Sequence, residues 1–237
     1  MDKQQSLFEH LSELRTRIIR SILAIVVAVI VAVVFSQQAF SFIMDQAKTD
    51  GVQLVQNTFS DAFLTQFRLA VLGGLVLAFP VVLYQLVAFI VPALRPNEKR
   101  LLYLGLPFAT IMFALGWSFG WFVVVPISKT FFLEMSSVAG VVNQITPSSY
   151  LSFVLGICNP LGIAFELPLL VLILARIGLV THTFLARVRK FAFLAIMILA
   201  AVLSPPDIIS MSIFLVPLYG LYEFSILLAR LAQPKKR

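Results

Sequence analysis

The sequence predicts an all-α integral membrane protein of six spanning helices, with both termini cytoplasmic and the last two helices short. Three observations carry this. Of 237 residues, 60% are hydrophobic and only 12% are charged, whereas a soluble domain is about 25% charged. Mean hydropathy is +0.98. The apolar residues fall in charge-free runs at 21–44, 69–94, 101–128 and 135–165, with shorter runs at 191–206 and 208–222. A soluble core of this size would leave too much apolar surface in water, so these residues face lipid. That excludes a soluble globular enzyme, a disordered tail and a coiled coil. A membrane barrel would alternate apolar and polar residues. Runs such as Ala24-Ile25-Val26-Val27-Ala28-Val29 do not.

The first span is expected over 17–36. Ahead of it, Leu7, Leu11, Leu14 and Ile18 share one helical face, and Ser6 with Glu9 fits a capping box. Asp2, Glu9 and Glu13 precede the apolar run and no small-x-small site follows, so an uncleaved span is expected. The second span covers 67–91 and the third 102–126. Asn97 is placed to cap the third, with Glu98 in its first turn, where the helix dipole favours an anion. Gly116 and Gly120 form a small-xxx-small packing pattern. The fourth span covers 150–174.

The fifth and sixth cover 190–204 and 209–229, with charge-free cores of 16 and 15 residues. Such cores reach about 22–24 Å, short of the roughly 30 Å hydrocarbon layer, so local bilayer thinning is expected beside them. Between them, proline in Ser204-Pro205-Pro206-Asp207 stops one helix and Asp207 is placed to cap the next. The outer loops, 37–66 and 127–149, are expected to form a small cap. With no internal repeat and no soluble segment, residues 1–237 read as a single transmembrane domain.

Orientation follows from the basic residues. Fifteen of the 18 Lys and Arg lie near the termini and around 95–100 and 176–190; only Lys48, Arg68 and Lys129 lie on the other side. Lys and Arg concentrate in cytoplasmic loops. The net charge of +7 thus reflects contacts with anionic lipid heads and calls for no nucleic acid. The single cysteine, Cys158, excludes an internal disulfide and a cysteine metal cage. The two histidines, His10 and His182, lie in separate segments, and no His-Glu-x-x-His or Gly-x-x-x-x-Gly-Lys run exists. Neither catalysis, a metal nor a cofactor is expected.

Three acids stand out. Glu13 has a bland partner in Arg17 at i,i+4, but exposed pairs of this kind are worth only ~0.3–0.5 kcal/mol, so it exchanges partners easily. Glu98 lies on the same inner surface. If the first and third helices pack nearby, the two carboxylates offer a receptor for two guanidinium groups. Glu166 precedes Arg176 by ten residues, about 15 Å along a helix, near mid-membrane. A charge there costs ~2.5–3.5 kcal/mol. A neutral acid bonded to a carbonyl freed by Pro160 or Pro168 would explain it, but an apolar or amide side chain would span more cheaply, which favours a function.

At these residues the chain resembles a known family. His10-Leu11-Ser12-Glu13-Leu14-Arg15-Thr16-Arg17 is similar to the N-terminal signature of TatC, the receptor subunit of the twin-arginine protein translocase. Pro80-Val81-Val82-Leu83-Tyr84-Gln85, Phe89, Pro92-Ala93-Leu94 and Glu98-Lys99-Arg100 continue the likeness, as do Phe165-Glu166-Leu167-Pro168 and Ser204-Pro205-Pro206-Asp207. The resemblance implies a receptor in the bacterial inner membrane that binds twin-arginine signal peptides of folded cargo. It also implies recruitment of TatA-type and TatB-type single-span partners, association with other copies of itself, and transport driven by the proton-motive force. Glu13 and Glu98 match the acids that engage the two arginines, with Arg15, Phe89, Lys99 and Arg100 shaping the site. Glu166 matches an acid of the concave face, and Asp207 one at the outer end of the sixth helix, near partner helices. Pro80, Tyr84, Pro92, Pro168 and Pro205 match structural positions. Two positions depart from the family pattern. Met211 stands where relatives often carry glutamine, and Pro160 where a small non-proline residue is usual, so a second kink in the fourth helix is expected.

The rival is a proton-coupled secondary transporter with Glu166 and Asp207 as relay groups, although Asp207 lies far from Glu166 in depth. An intramembrane hydrolase lacks a nucleophile–base pair.

Overall fold

The computed structural model describes residues 7–48, 53–55, 60–90, 96–138, 144–203 and 208–232. Helix α1 is Leu7–Lys48, α2 Asp61–Ile90 and α3 Pro96–Phe119; a π-helical turn, Gly120–Val124, leads into α4, Val125–Val138. Then come α5 Pro147–Ala164, α6 Leu167–Ile177, α7 His182–Arg187, α8 Arg189–Leu203 and α9 Ile208–Ala232. The described strands are two residues each, β1 Gln53–Leu54 and β2 Gln144–Ile145. Five helical stretches are long and apolar enough to cross a membrane: Leu11–Lys48, Asp61–Phe89, Leu102–Ser136, Pro147–Arg176 and Met211–Leu231. The most apolar window of the first is 6% buried. A helix so apolar and so bare is stable only with lipid around it.

The chain forms two compact units. The first is Met1–Leu106 with Thr146–Leu151; the second is Pro107–Ile145 with Ser152–Arg237. In the first, α1 packs along α2. A Cβ on Gly74 of α2 would lie 2.6 Å from Val29 Cα of α1, so the two backbones touch where glycine has no side chain. Hydroxyls inside these apolar helices are satisfied locally. Thr16, Ser21 and Thr65 donate to the carbonyls of Ser12, Arg17 and Asp61, four residues back.

In the second unit, Gly116 and Gly120 perform the packing read from their spacing. A Cβ on Gly116 would sit 2.7 Å from the Leu161 carbonyl oxygen, and one on Gly120 3.0 Å from Cys158 Cα. Cys158 is fully buried beneath that contact. Helices α6, α7 and α8 pack against α9. Ala175, Leu185, Ile226 and Ala229 form a buried cluster there, and the Tyr222 hydroxyl donates to the Leu185 carbonyl at 2.8 Å.

Three expectations are corrected, and one short helix is added. Residues 37–48 and 127–138 are helical rather than outer loop. Charge gaps mark where a helix leaves lipid, not where it ends; Ile43, Met44 and Ala47 continue a buried face past that point. The last helix is not short: α9 has 25 residues, about 37 Å. It runs past Glu223 because that carboxylate is paired, 2.9 Å from Arg189 and 3.0 Å from the Tyr219 hydroxyl. Helix α8, at 15 residues, is about 22 Å long. The segment between α6 and α8 is not all loop. Gly178, at φ +83°, ends α6 in the left-handed region that favours glycine, and Thr181 caps α7 by accepting from the Phe184 N–H at 3.2 Å. Helix α5 passes through Pro160, and the single break falls at Phe165–Glu166, ahead of Pro168, because proline brings no N–H for the Ala164 carbonyl.

Candidate functional site at the α1–α2–α3 end

Arg17 joins α1 to α2. Its Nη2 donates to Glu13 Oε1 at 3.1 Å and its Nη1 to Gln85 Oε1 at 3.3 Å. Gln85 is buried within the apolar α2, where an unpaired amide would be penalised; the guanidinium satisfies it. Glu13 and Arg17 each keep less than a quarter of their side-chain exposure. The Arg17 contact uses one oxygen of Glu13, and a carboxylate offers about four lone-pair sites, so Glu13 retains acceptor capacity.

The register of the three helices follows from contacts within this unit. Arg17 meets Gln85, and Val29 abuts Gly74. The helices are therefore antiparallel, and one turn before Arg17 brings Glu13 level with Phe89. Tyr84 and Tyr103 pack with ring centroids 6.4 Å apart. Five residues beyond Tyr84 is Phe89, and five before Tyr103 is Glu98. With only five residues joining Ile90 to Pro96, α3 starts beside the end of α2, and the backbone at Glu98 comes level with Phe89. The backbones at Glu13, Phe89 and Glu98 thus share one level at one end of the unit.

Proline at the first position of α3 suits a helix start. Asn97 is therefore inside the first turn rather than ahead of it, and Glu98 is in that turn. Phe89 and Lys99 are partly buried and Arg15 is exposed. The side chains of Glu98 and Arg100, the capping pair Ser6 and Glu9, and all of Pro92, Pro205 and Asp207 lie outside the described residues. Pro80 is inside α2. Reasoning from sequence quoted Gln85 but gave it no role. Its signal was a lone amide in an apolar run.

Glu166 and Met211 belong to the second unit. Glu166 sits in the break between α5 and α6, and its Oε1 is buried without a hydrogen-bond partner among the described residues. The Phe113 backbone hydrogen-bonds the same carboxyl. Around the break, Phe165 packs on Phe119 at 5.8 Å between centroids, and Trp117 Nε1 donates to Asn159 Oδ1 at 3.1 Å. Pro168 is buried and Met211, on α9, is partly buried. Among the described residues no group of three or more His, Cys, Asp or Glu is placed to hold a metal.

A family model described as Sec-independent protein translocase protein (TatC) matches residues 9–217. The chain belongs to the TatC family. The TatC protein of Carboxydothermus hydrogenoformans is 37% identical over 236 residues, covering 99% of this chain and 97% of that one. That of Deinococcus radiodurans is 39% identical over 235 residues, covering 94% and 85%. A crystal structure of the twin-arginine translocase receptor TatC aligns with TM-score 0.84 at 32% identity, covering 94% of this chain and 99% of that one. The TatC relatives are protein translocase components, which gives the transporter alternative no support.

Proposed function

We propose that this chain is the receptor subunit of a twin-arginine translocase, and that Glu13 and Glu98 grip the paired arginines of a signal peptide. The register that brings the backbones at Glu13, Phe89 and Glu98 to one level is the observation that supports the reading. Two carboxylates at a headgroup boundary suit two guanidinium forks, because charge-assisted bidentate bonds are strong and gain from reduced dielectric. Arg15, Lys99 and Arg100 flank them and Phe89 supplies an apolar wall. The Arg17 pair holds Glu13 in place until an incoming arginine shares or replaces that contact.

The chain then lies in a bacterial inner membrane as one six-span domain, with α8 as the fifth span and both termini cytoplasmic. It recruits TatA-type and TatB-type single-span partners, with Glu166, Met211 and Asp207 as the residues expected at those contacts, and associates with other copies of itself. It has no enzymatic chemistry of its own; transport draws on the proton-motive force.

Site-specific crosslinking from positions 13, 98 and 166 to a twin-arginine precursor tests this. Crosslinks from 13 and 98 to the arginine pair are expected. Glu13→Ala or Glu98→Ala should weaken capture by about 10–100-fold, as expected for a lost charged hydrogen bond. A twin-lysine peptide should bind less well, because lysine lacks the planar fork. Equal capture of both peptides by the wild type overturns the reading.

A further inference from the structure

At the end of the second unit where α6, α7 and α9 meet, exposed cations ring a small apolar core. Arg176 follows Ala175 and Arg230 follows Ala229, and both alanines are buried against Leu185 of α7. Arg187 is two residues beyond Leu185 and Lys190 three further. All four cations are exposed. Val188, at φ −88° and ψ 9°, interrupts the helix between α7 and α8. Phe184 and Arg187 share one face of α7, Phe191 follows in the first turn of α8, and both phenylalanines are largely exposed, at 55% and 74%.

Helix dipoles account for Arg176 and Arg230, which sit in last turns. The α7 dipole likewise favours Arg187, in the last turn of that helix. Lys190 is not accounted for: it lies at the start of α8, where the dipole disfavours cations. Arg189, at the same place, has Glu223 at 2.9 Å. From Leu167 to the C-terminus the only other acid is Asp207, in sequence beyond the opposite end of α8. Glu223 is already engaged by Arg189 and Tyr219, so among the described residues from Leu167 onward no free carboxylate is left to face the four cations.

We infer that this elbow is a binding site for an anionic phospholipid, with Arg176, Arg187, Lys190 and Arg230 on the phosphate and Phe184 and Phe191 against the upper acyl chains. Aromatic residues beside basic ones suit the headgroup boundary, where each rests at its own depth. A headgroup held here anchors the inner end of α8, whose 15 residues fall short of the hydrocarbon layer. The inference is independent of the signal-peptide site, which uses residues of the other unit.

Native mass spectrometry of the detergent-purified full chain tests it, with added phosphatidylglycerol or phosphatidylcholine. The wild type should retain phosphatidylglycerol up to about 10³-fold better than the Arg176→Gln/Arg187→Gln/Lys190→Gln/Arg230→Gln variant, given the worth of each cation near an anionic surface, and both should retain phosphatidylcholine equally. Glycerophosphate, which lacks acyl chains, should not displace the lipid at equal concentration. If the quadruple variant does not fold, Arg187→Gln/Lys190→Gln alone should show a loss of up to about 30-fold. Equal retention of phosphatidylglycerol by wild type and variant, or displacement by glycerophosphate, overturns the site. Twin-arginine peptide capture measured on the same variants should stay at the wild-type level. Capture and lipid retention therefore fail separately if either reading is wrong.

Discussion

Arg17 reaches Gln85 across 68 positions of sequence, its guanidinium 3.3 Å from the amide oxygen. The contact fixes how far α1 slides along α2, and through α2 it sets the level of Glu13 relative to the start of α3. Gln85→Leu should leave Arg17 facing an apolar side chain. Capture of a twin-arginine peptide should fall several-fold while capture through an unrelated affinity tag is unchanged. Full capture by this variant would show that the register does not depend on the bond.

The Glu13–Arg17 pair should prove weak. A double-mutant cycle on thermal unfolding in detergent should give a coupling of about 0.3–0.5 kcal/mol, the range for i,i+4 pairs. A coupling above about 2 kcal/mol would mark the pair as a fixed structural bridge and leave Glu13 unable to exchange partners.

Adjacent glycines on α2 should respond oppositely to the same methyl group. Gly74→Ala places a Cβ 2.6 Å from Val29 Cα, whereas at Gly73 nothing lies within 4 Å. The first should destabilise by about 1–3 kcal/mol through overpacking. The second should be neutral or stabilise by up to about 1 kcal/mol, because alanine is the better helix former. Melting temperatures of the two variants in one detergent check this.

Glu166→Met should raise the melting temperature while lowering transport. Its Oε1 is buried without a partner among the described residues, and relieving a buried, unsatisfied polar atom gains about 1–3 kcal/mol. A residue kept at that penalty fits a role outside folding. A lower melting temperature would mean that Glu166 holds the α5–α6 break together.

The Arg189–Glu223 pair should matter modestly. Both side chains keep more than a third of their exposure, which confines the pair to about 0.2–1 kcal/mol. Glu223→Gln should lower stability by that amount at low salt and by less at high salt, measured by thermal unfolding.

The spans were legible because lipid imposes a simple rule: long apolar runs must be helical, and the expected stretches are helical wherever they are described, apart from the break at Phe165–Glu166 in the fourth. Helix ends were less so. Gln37-Gln38 looks like the start of a loop, yet α1 continues to Lys48 because Ile43, Met44 and Ala47 bury one face. Glu223 ends the charge-free core of the last span and made that span look short, yet an arginine from another helix pairs with it. Both errors come from reading polar residues along the chain when packing and partners lie across it. At the candidate site Glu13 and Glu98 could be singled out as acids at an inner surface, but their common level depends on Gln85, Gly74 and the Tyr84–Tyr103 contact, whose partners are set by packing.

Cys158 is the only thiol in the chain and it lies fully buried against the π-helical turn at Gly120. Maleimide reagents applied to the folded protein should therefore leave it untouched. A cysteine introduced at position 13, 89 or 187 can then carry a fluorophore or a spin label on an otherwise native background, without first removing a residue that fills a close helix crossing.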